Sequence, residues 1–185
     1  MAWSPVPVRF FRKLRPFERP LYLAHLQTLT DEDRRRRFQL TIGDESLRRH
    51  VEAIDFARMV VLGGFVDGSL RGAAEVAVAS GFAELGVSVE PAWQGRGLGG
   101  ELTRRAVRIA RNRGATQVWM FCLPDNEPMR RIARALEGQL ELHDGTLDAR
   151  LPLRPPNAMS RLGETLEDGH GLYGSASSLV FSRTA

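Results

Sequence analysis

The stretch from Glu84 to Gly100 contains residue types that can bind an anion. A strand-like alternation precedes Pro91. Four closely spaced glycines follow it: Gly95, Gly97, Gly99 and Gly100. Glycine destabilises a helix interior, so this cluster indicates a special backbone conformation or a ligand that approaches the backbone closely. Glycines let the backbone approach a ligand closely, and the unpaired N–H groups at the start of a helix attract negative charge. The stretch therefore predicts a phosphate-binding turn.

The same glycines also satisfy a dinucleotide-binding fingerprint, with Asp125 as its acidic residue. The fingerprint should follow its strand directly, whereas residues 91–94 intervene here, and Asp125 lies further along the chain than the usual ~20 residues. A P-loop is not matched either, because no Gly-Lys-Ser/Thr sequence is present. We therefore expect neither a Rossmann unit nor a P-loop.

Hydrophobic periodicity predicts the elements that position this turn. Antiparallel strands with tight turns precede it, and a strand, helix and strand around it indicate a right-handed βαβ crossover. We predict an α/β fold, a mixed and mostly antiparallel sheet with a central βαβ unit and flanking helices. The predicted elements are a strand near 8–15, helices near 21–29, 30–38 and 43–50, strands at 57–66, 69–79 and 82–89, a helix at 98–113, a strand at 117–123, a helix at 126–138 and a hairpin of 139–143 and 146–153.

The chain of 185 residues fits one domain, which we place at residues 1–154. Residues 155–185 are weakly patterned after Pro155-Pro156 and are predicted to be a tail or a partner-contacting arm, with a short helix near 161–166.

No apolar run reaches the ~20 residues of a membrane helix. A single cysteine, Cys122, excludes an intrachain disulfide and suits a reducing compartment. We expect a soluble, cytoplasmic protein without a membrane partner.

The charge balance is mildly basic, with 26 basic and 22 acidic residues and a net charge of +4. This excess favours an anionic ligand without indicating nucleic acid. The run Arg34–Arg37 has two interpretations: a solvated helix face, or a surface that steers an anionic substrate.

Cys122 lies in an apolar strand and is predicted to be a packed thiol. The four histidines have no ligand-like spacing, so no metal site is expected: His25, His50, His143 and His170.

The segment Gln94-Gly-Arg-Gly-Leu-Gly99 matches the pattern Gln/Arg-x-x-Gly-x-Gly/Ala. With the strand before it, the helix after it and the segment 123–129, it resembles the GNAT acetyltransferase superfamily. The resemblance covers residues 8–153 as architecture and is specific from 82 to 136. Within the superfamily, residues 30–38 and the strand around Glu84 look like bacterial Pat-type protein-lysine acetyltransferase domains.

This resemblance implies acetyl-CoA as cosubstrate. The pyrophosphate would lie on the backbone N–H groups of the glycine turn, and the pantetheine arm would pair with the edge of the preceding strand. A bulge would splay that strand from its neighbour, with Gly86 and Pro91 as candidate positions. Asn126 is either a pantetheine contact or a helix N-cap. The implied cofactor-binding residues are Val87, Val89, Gln94, Gly95, Arg96, Gly97, Gly99, Gly100 and Asn126.

The resemblance also implies direct attack of a primary amine on the thioester. A lysine amine, with a pKa of about 10.4, must first lose a proton, which a well-placed carboxylate can accept. Glu84 is the predicted general base, since Pat-type domains carry a glutamate at the corresponding position. Glu75 and Glu90 are its competitors. A backbone N–H near residues 87–89 would stabilise the oxyanion.

One departure concerns the general acid. Many members of the superfamily place a tyrosine on the helix that here spans 126–138, which contains none. The chain's two tyrosines, Tyr22 and Tyr173, lie elsewhere in sequence, so no acid is assigned. A non-catalytic acyl-CoA-binding domain and a longer acyl donor therefore stay open as alternatives. The acceptor can be a protein lysine, a polyamine, an amino acid or an aminoglycoside, and a homodimer is an open possibility.

Overall fold

The computed structural model describes residues 8–143 and 145–166. Its strands form one sheet in the order β1-β2-β3-β4-β5-β7-β6. Their bounds are Arg9–Lys13 (β1), Met59–Val66 (β2), Ser69–Ala79 (β3), Phe82–Val89 (β4), Gln117–Cys122 (β5), Gln139–His143 (β6) and Thr146–Pro152 (β7). The helices are Arg19–Gln27 (α1), Asp31–Phe38 (α2), Asp44–Glu52 (α3), Leu98–Asn112 (α4), Glu127–Ala135 (α5) and residues 158–166 (α6).

The predicted α/β architecture is confirmed. Strands β1 to β4 are antiparallel neighbours, and β4 pairs in parallel with β5 through the crossover helix α4. Strands β6 and β7 form the predicted hairpin on the far side of β5. The antiparallel strands before the glycine turn are incompatible with a Rossmann unit, as the sequence indicated.

Two hydrophobic cores cover the two faces of the sheet. Side chains of β2 alternate between them, so Val60 and Leu62 pack towards α4 while Val61 packs towards α1 and α3. Each leucine or valine that such a core buries fully contributes about 1.5–3 kcal/mol. Helix α4 presents one apolar face to the first core: Leu98, Leu102, Ala106, Ile109 and Ala110. This packing fixes the start of α4 against the end of β4.

The central strands β4 and β5 separate soon after they meet. They pair only from Phe82 to Glu84 on β4, and Glu84 lies opposite Trp119. Strand β4 stays in register with β3 as far as Val89, so neither Gly86 nor Pro91 introduces a bulge into that ladder. The separation instead begins directly after Glu84. The edge of β4 that faces β5 is therefore unpaired by β5 from residue 85 onwards.

The segment after β7 packs against the domain as far as residue 166. Asn112, at the end of α4, donates hydrogen bonds to the Ser160 carbonyl at 3.0 Å and to Glu164 at 2.6 Å. Glu164 also pairs with Lys13 of β1 at 2.5 Å. The domain boundary at residue 154 stays a prediction, and residues 167–185, with His170 and Tyr173, lie outside the described residues. In the described ranges, no helix combines the length and apolar character needed to cross a membrane.

Candidate functional site

A cleft of about 430 Å³ opens where β4 and β5 separate. Its walls are β4, the turn into α4, the start of α5, and helix α2 across the opening. The lining residues are Leu29, Asp33, Arg36, Arg37, Leu85, Gly86, Val87, Ser88, Val89, Gln94, Gly95, Gly97, Gly99, Gly100, Phe121, Asn126, Pro128, Met129, Arg131 and Ile132.

The glycine turn forms one end of this cleft. Gly95 and Gly97 have φ angles of 69° and 83°, a left-handed conformation that other residues adopt only with strain. Gly97 is the N-cap of α4, so the unpaired N–H groups of the first helical turn lie beside it. A Cβ atom at Gly97 or Gly100 would meet no protein atom within 4 Å. The turn is therefore open towards the cleft and suited to an anion.

The edge of β4 forms the floor of the cleft. Leu85 to Val89 all line it, while their pairing partners from β5 are absent beyond Glu84. An unpaired strand edge offers N–H and C=O groups to any extended chain that carries amides. The cleft thus combines an anion-binding end with a site for added strand-like pairing.

Three predicted binding side chains have different surroundings. Gln94 lines the cleft, and its amide donates to Asp33 at 3.0 Å and to the Val89 carbonyl at 3.1 Å. Asn126 lines the cleft too and caps α5, since its side chain accepts from the Met129 N–H at 3.2 Å. Arg96 lies outside the lining, with its guanidinium 5.0 Å from the centre of the Trp93 ring. The structure therefore brings together every predicted binding residue except Arg96.

Helix α2 is attached to both walls of the cleft. Its Arg35 donates to Asp125, after β5, at 2.5 Å, and its Asp33 accepts from Gln94, before α4. Thr30 accepts from the Asp33 N–H and caps the helix. None of the residues of α2 is fully buried, so these polar contacts carry much of its attachment.

The members of the arginine run Arg34–Arg37 have different surroundings. Arg34 forms an ion pair with Asp44 at 2.8 Å, and Arg36 pairs with Glu32 at 2.9 Å, as expected of a helix surface. Arg37 is different, because its side chain is only 10% exposed and lines the cleft.

Arg37 belongs to a buried cluster centred on Glu75 of β3. Glu75 accepts from Arg37 at 2.6 Å and from Tyr22 at 2.7 Å, and lies 2.6 Å from His50 Nε2. Burial alone would raise the pKa of Glu75, but Arg37, His50 and Tyr22 together lower it to about 2. Burial, reinforced by the charge of Glu75, raises the pKa of Tyr22 well above its usual value. Glu75 is thus ionised at neutral pH, and its charge balances that of Arg37.

The other two candidate bases lie in contrasting places. Glu84 is exposed and stands at the closed end of the cleft, one residue before Leu85, the first residue of β4 that lines it. Glu90 is engaged elsewhere: His25, whose Nδ1 lies 3.9 Å away, and Arg71, at 2.8 Å, lower its pKa. Of the three carboxylates, Glu84 is the one without a hydrogen bond or ion pair to the described residues.

The structure adds cleft residues that motif reasoning missed. Asp33, Arg36 and Arg37 come from α2, and Arg131 comes from α5. One sequence signal was available: Glu75 lies within the apolar strand segment 73–78, and a buried carboxylate needs a cationic partner. The sequence does not say which of its many arginines that partner is.

The remaining candidates have no place in the cleft. Cys122 is buried, and burial raises the pKa of its thiol, in agreement with the predicted packed thiol. In the two described ranges, no group of three or more potential metal-ligating side chains is present.

Comparisons with known proteins bear on this arrangement. The chain superposes on the GNAT domain of PAT from S. lividans with a TM-score of 0.67 and 19% identity, over 82% of this chain and 100% of that one. It superposes on the ribosomal-protein-S18-alanine N-acetyltransferase from Escherichia coli with a TM-score of 0.63 and 16% identity, over 82% and 97%. It superposes on the PaiA N-acetyltransferase from Thermoplasma acidophilum in complex with coenzyme A with a TM-score of 0.60 and 15% identity, over 79% of this chain and 99% of that one.

Identities this low establish a shared fold alone. Among curated proteins, no sequence matches the chain. The family model described as the acetyltransferase (GNAT) family matches residues 21–137, which is more than half of the sequence. The chain therefore belongs to the GNAT acetyltransferase family.

Proposed function

We propose that this protein transfers an acetyl group from acetyl-CoA to a primary amine by direct attack. The observation that carries the proposal is the juxtaposition of the glycine turn and the open edge of β4 within one cleft. Acetyl-CoA has the matching chemistry, because a pyrophosphate is followed by an arm that contains amides. Residues that fit the pyrophosphate are Gly95, Gly97, Gly99 and Gly100, with the dipole of α4 behind them.

The arm of the cosubstrate would follow β4 away from the glycine turn. Val87 and Val89 lie on this path, and Asn126 faces it from the opposite wall. Gln94 would act indirectly, because its amide already joins Asp33 to the Val89 carbonyl and thereby holds the turn in place. Arg96 would add positive charge only from a distance, since it lies against Trp93.

Glu84 is our proposed general base, for two reasons. Glu75 has a pKa of about 2 and is bound by Arg37, so it is a very weak proton acceptor. Glu90 is held by Arg71 at 2.8 Å and lines a different cavity. Glu84 lies at the closed end of the cleft, where an arm that follows β4 would end, and its carboxylate is accessible to solvent.

A protein lysine is the acceptor that we propose first. The support is the sequence resemblance of residues 30–38 and of the strand around Glu84 to Pat-type domains. The cleft's opening is lined by Arg36 and by the acidic Asp33, and Glu84 lies at its closed end. A small amine remains the alternative acceptor, which the experiment below separates from lysine.

The test is release of free CoA thiol from acetyl-CoA with a panel of acceptors: a lysine peptide, a peptide with a free α-amine, spermidine, free amino acids and an aminoglycoside. We expect amine-dependent release with at least one peptide. Longer acyl donors run in parallel report on acyl preference. Tight CoA binding without thiol release from any pair would replace the enzyme with a non-catalytic acyl-CoA-binding domain, and absence of CoA binding would refute the proposal as a whole.

The glycine turn gives a prediction that separates binding from folding. Gly100 lies inside α4, and a Cβ atom there would meet no protein atom within 4 Å. Gly100→Ala should therefore keep or raise the free energy of unfolding, by up to about 1 kcal/mol, because alanine favours a helix. The same methyl group faces the proposed pyrophosphate site, so we expect the Kd for CoA to rise by about tenfold, the equivalent of ~1.4 kcal/mol.

Calorimetry of CoA binding and urea unfolding check the two halves of this prediction. Gly43→Ala is the matched control, because its Cβ would also meet no atom within 4 Å and Gly43 lies outside the cleft. It should leave CoA binding unchanged. Unchanged CoA affinity in Gly100→Ala would place the pyrophosphate elsewhere.

A further inference from the structure

Arg37 places a positive charge at the closed end of the cleft. Its guanidinium lies flat over Gly86, and a Cβ atom at position 86 would overlap it. The last residue of β4 that pairs with β5 is Glu84, and Gly86 follows it by two positions. Glycine at position 86 therefore makes room for a cation directly on the strand that the acetyl-CoA arm would follow.

The guanidinium is held by polar groups of β3 and α1. Its Nη2 donates to Glu75 at 2.6 Å, and the Tyr22 hydroxyl also interacts with it. Arg37 is 10% exposed and lines the cleft, and its buried Nε has no hydrogen-bond partner among the described residues. An arginine stays protonated at any physiological pH. A desolvated donor with a fixed charge therefore faces the reaction space.

The charged and titratable groups around Arg37 come from five elements. Glu75 is on β3, and Tyr22 and His50 approach that carboxylate from α1 and α3. Asp33 and Arg36 lie on α2 itself, and Arg131 lines the cleft from α5. Asp33 is engaged with Gln94 and Arg36 with Glu32, so Glu75 is the anion that pairs with Arg37.

The position of the thioester follows from the proposed function, on which this inference rests. The glycine turn lies beyond Val89, and the cleft closes at Glu84. The three residue steps from Val89 back to Gly86 span about 10 Å of extended strand. An arm that leaves the turn and pairs along β4 therefore brings its sulfur towards Gly86 and Arg37.

We propose that Arg37 is a catalytic residue that stabilises the leaving CoA thiolate. The amine nitrogen forms a bond to the acetyl carbon, the carbon–sulfur bond breaks, and its electron pair stays on sulfur. The amine proton passes to Glu84 and then to solvent. Arg37 transfers no proton, and its charge offsets the charge that develops on sulfur. This explains how the site can operate without a tyrosine on α5.

The test uses CoA and desulfo-CoA, which lacks the thiol, and needs no acceptor. A cysteine thiol has a pKa of about 8.5, and an opposite charge within ~4–6 Å lowers a pKa by about 1–3 units. We expect the affinity for CoA, relative to desulfo-CoA, to rise by about tenfold as the pH increases from 6 to 9.5. The ratio of the two affinities, measured by calorimetry, cancels the titration of the phosphates and of the surrounding groups.

Three variants identify Arg37 as the cause. The double variant Arg37→Met/Glu75→Gln removes the cation without leaving a buried anion. In this variant, the affinity for CoA relative to desulfo-CoA should no longer rise as the pH increases towards the ordinary thiol pKa. Gly86→Ala should also reduce the pH dependence, because its methyl group displaces the guanidinium. Arg36→Met removes a neighbouring charge from the same cleft and should keep the pH-dependent ratio.

The outcomes distinguish this proposal from the proposed function. If desulfo-CoA binds but the affinity ratio of the unaltered protein stays flat with pH, Arg37 does not stabilise the thiolate, although the binding site is correct. The same conclusion follows if the double variant retains the full pH dependence. If neither CoA nor desulfo-CoA binds, the proposed function itself fails.

Discussion

Replacing Glu84 with glutamine is expected to lower kcat by about 10²–10⁴-fold while the affinity for acetyl-CoA stays unchanged. The magnitude is that of a lost general base, because the glutamine amide cannot accept the amine proton. Affinity should persist since Glu84 lies outside the cleft lining, at its closed end. Steady-state kinetics with the best acceptor and calorimetry with CoA measure the two quantities separately.

Two comparisons make this result specific. Glu52→Gln changes another exposed glutamate, at the end of α3 and outside the cleft lining, and should leave kcat unaltered. Glu90→Gln changes the competing carboxylate, which Arg71 already holds, and should affect kcat much less than Glu84→Gln. An unaltered kcat in Glu84→Gln would remove this residue from the mechanism and favour water as the proton acceptor.

The parts of the fold that depend on residues adjacent in the sequence were predictable. The bounds of β3 and β4 agree with the sequence prediction because turn residues fix their ends. Asp67 and Gly68 both have positive φ, at 49° and 79°, and Ser80 and Gly81 repeat this with 51° and 81°. Two-residue turns of this kind match the twist of antiparallel strands, so they fix the register as well as the strand ends.

The glycine turn was predictable for the same reason. An anion site at a helix N-terminus is built from backbone groups of consecutive residues, and its glycines are visible in the sequence. The side chain of Arg96 shows where such reasoning ends. It belongs to the motif, yet it lies against Trp93 instead of lining the cleft. A motif specifies its backbone more closely than the direction of a long side chain.

The charged half of the site depends on contacts between distant segments. Arg37 and Glu75 are 38 positions apart, and Glu75 also meets Tyr22 and His50 from two further helices. Each pairing depends on how the helices pack on the sheet, which periodicity does not specify. The separation of β4 from β5 is equally non-local, since β4 keeps an unbroken register with β3 throughout.

Replacing Glu75 with glutamine should have the largest effect on stability. Glutamine can keep hydrogen bonds to Tyr22 and His50, but it leaves the charge of Arg37 unbalanced in a site where that side chain is only 10% exposed. Removing one partner of a buried ion pair typically costs about 3–5 kcal/mol. We therefore expect a loss of this size in the free energy of unfolding, measured with urea at neutral pH.

An exposed ion pair provides the control for Glu75→Gln. Glu45 pairs with Arg48 at 2.7 Å, but these side chains are 68% and 49% exposed. Glu45→Gln should therefore cost less than about 1 kcal/mol. The double variant Arg37→Met/Glu75→Gln should be more stable than Glu75→Gln alone, because no buried charge is left without a partner. A double variant less stable than Glu75→Gln would show that removing the cation does not relieve the unbalanced charge, and would contradict the proposed pairing of Arg37 with Glu75.

The pH dependence gives this ion pair a second signature. The pKa of Glu75 is about 2 in the folded protein, against an ordinary value of 4.5. Between these values the unfolded chain binds more protons, so the stability that ionised Glu75 contributes is complete above about pH 5 and declines as the pH falls towards 2. The difference in stability between the unaltered protein and Glu75→Gln should shrink over the same interval. A difference that stays constant from pH 6 to pH 3 would mean that Glu75 stabilises the fold through hydrogen bonds and packing, and not through its charge on Arg37.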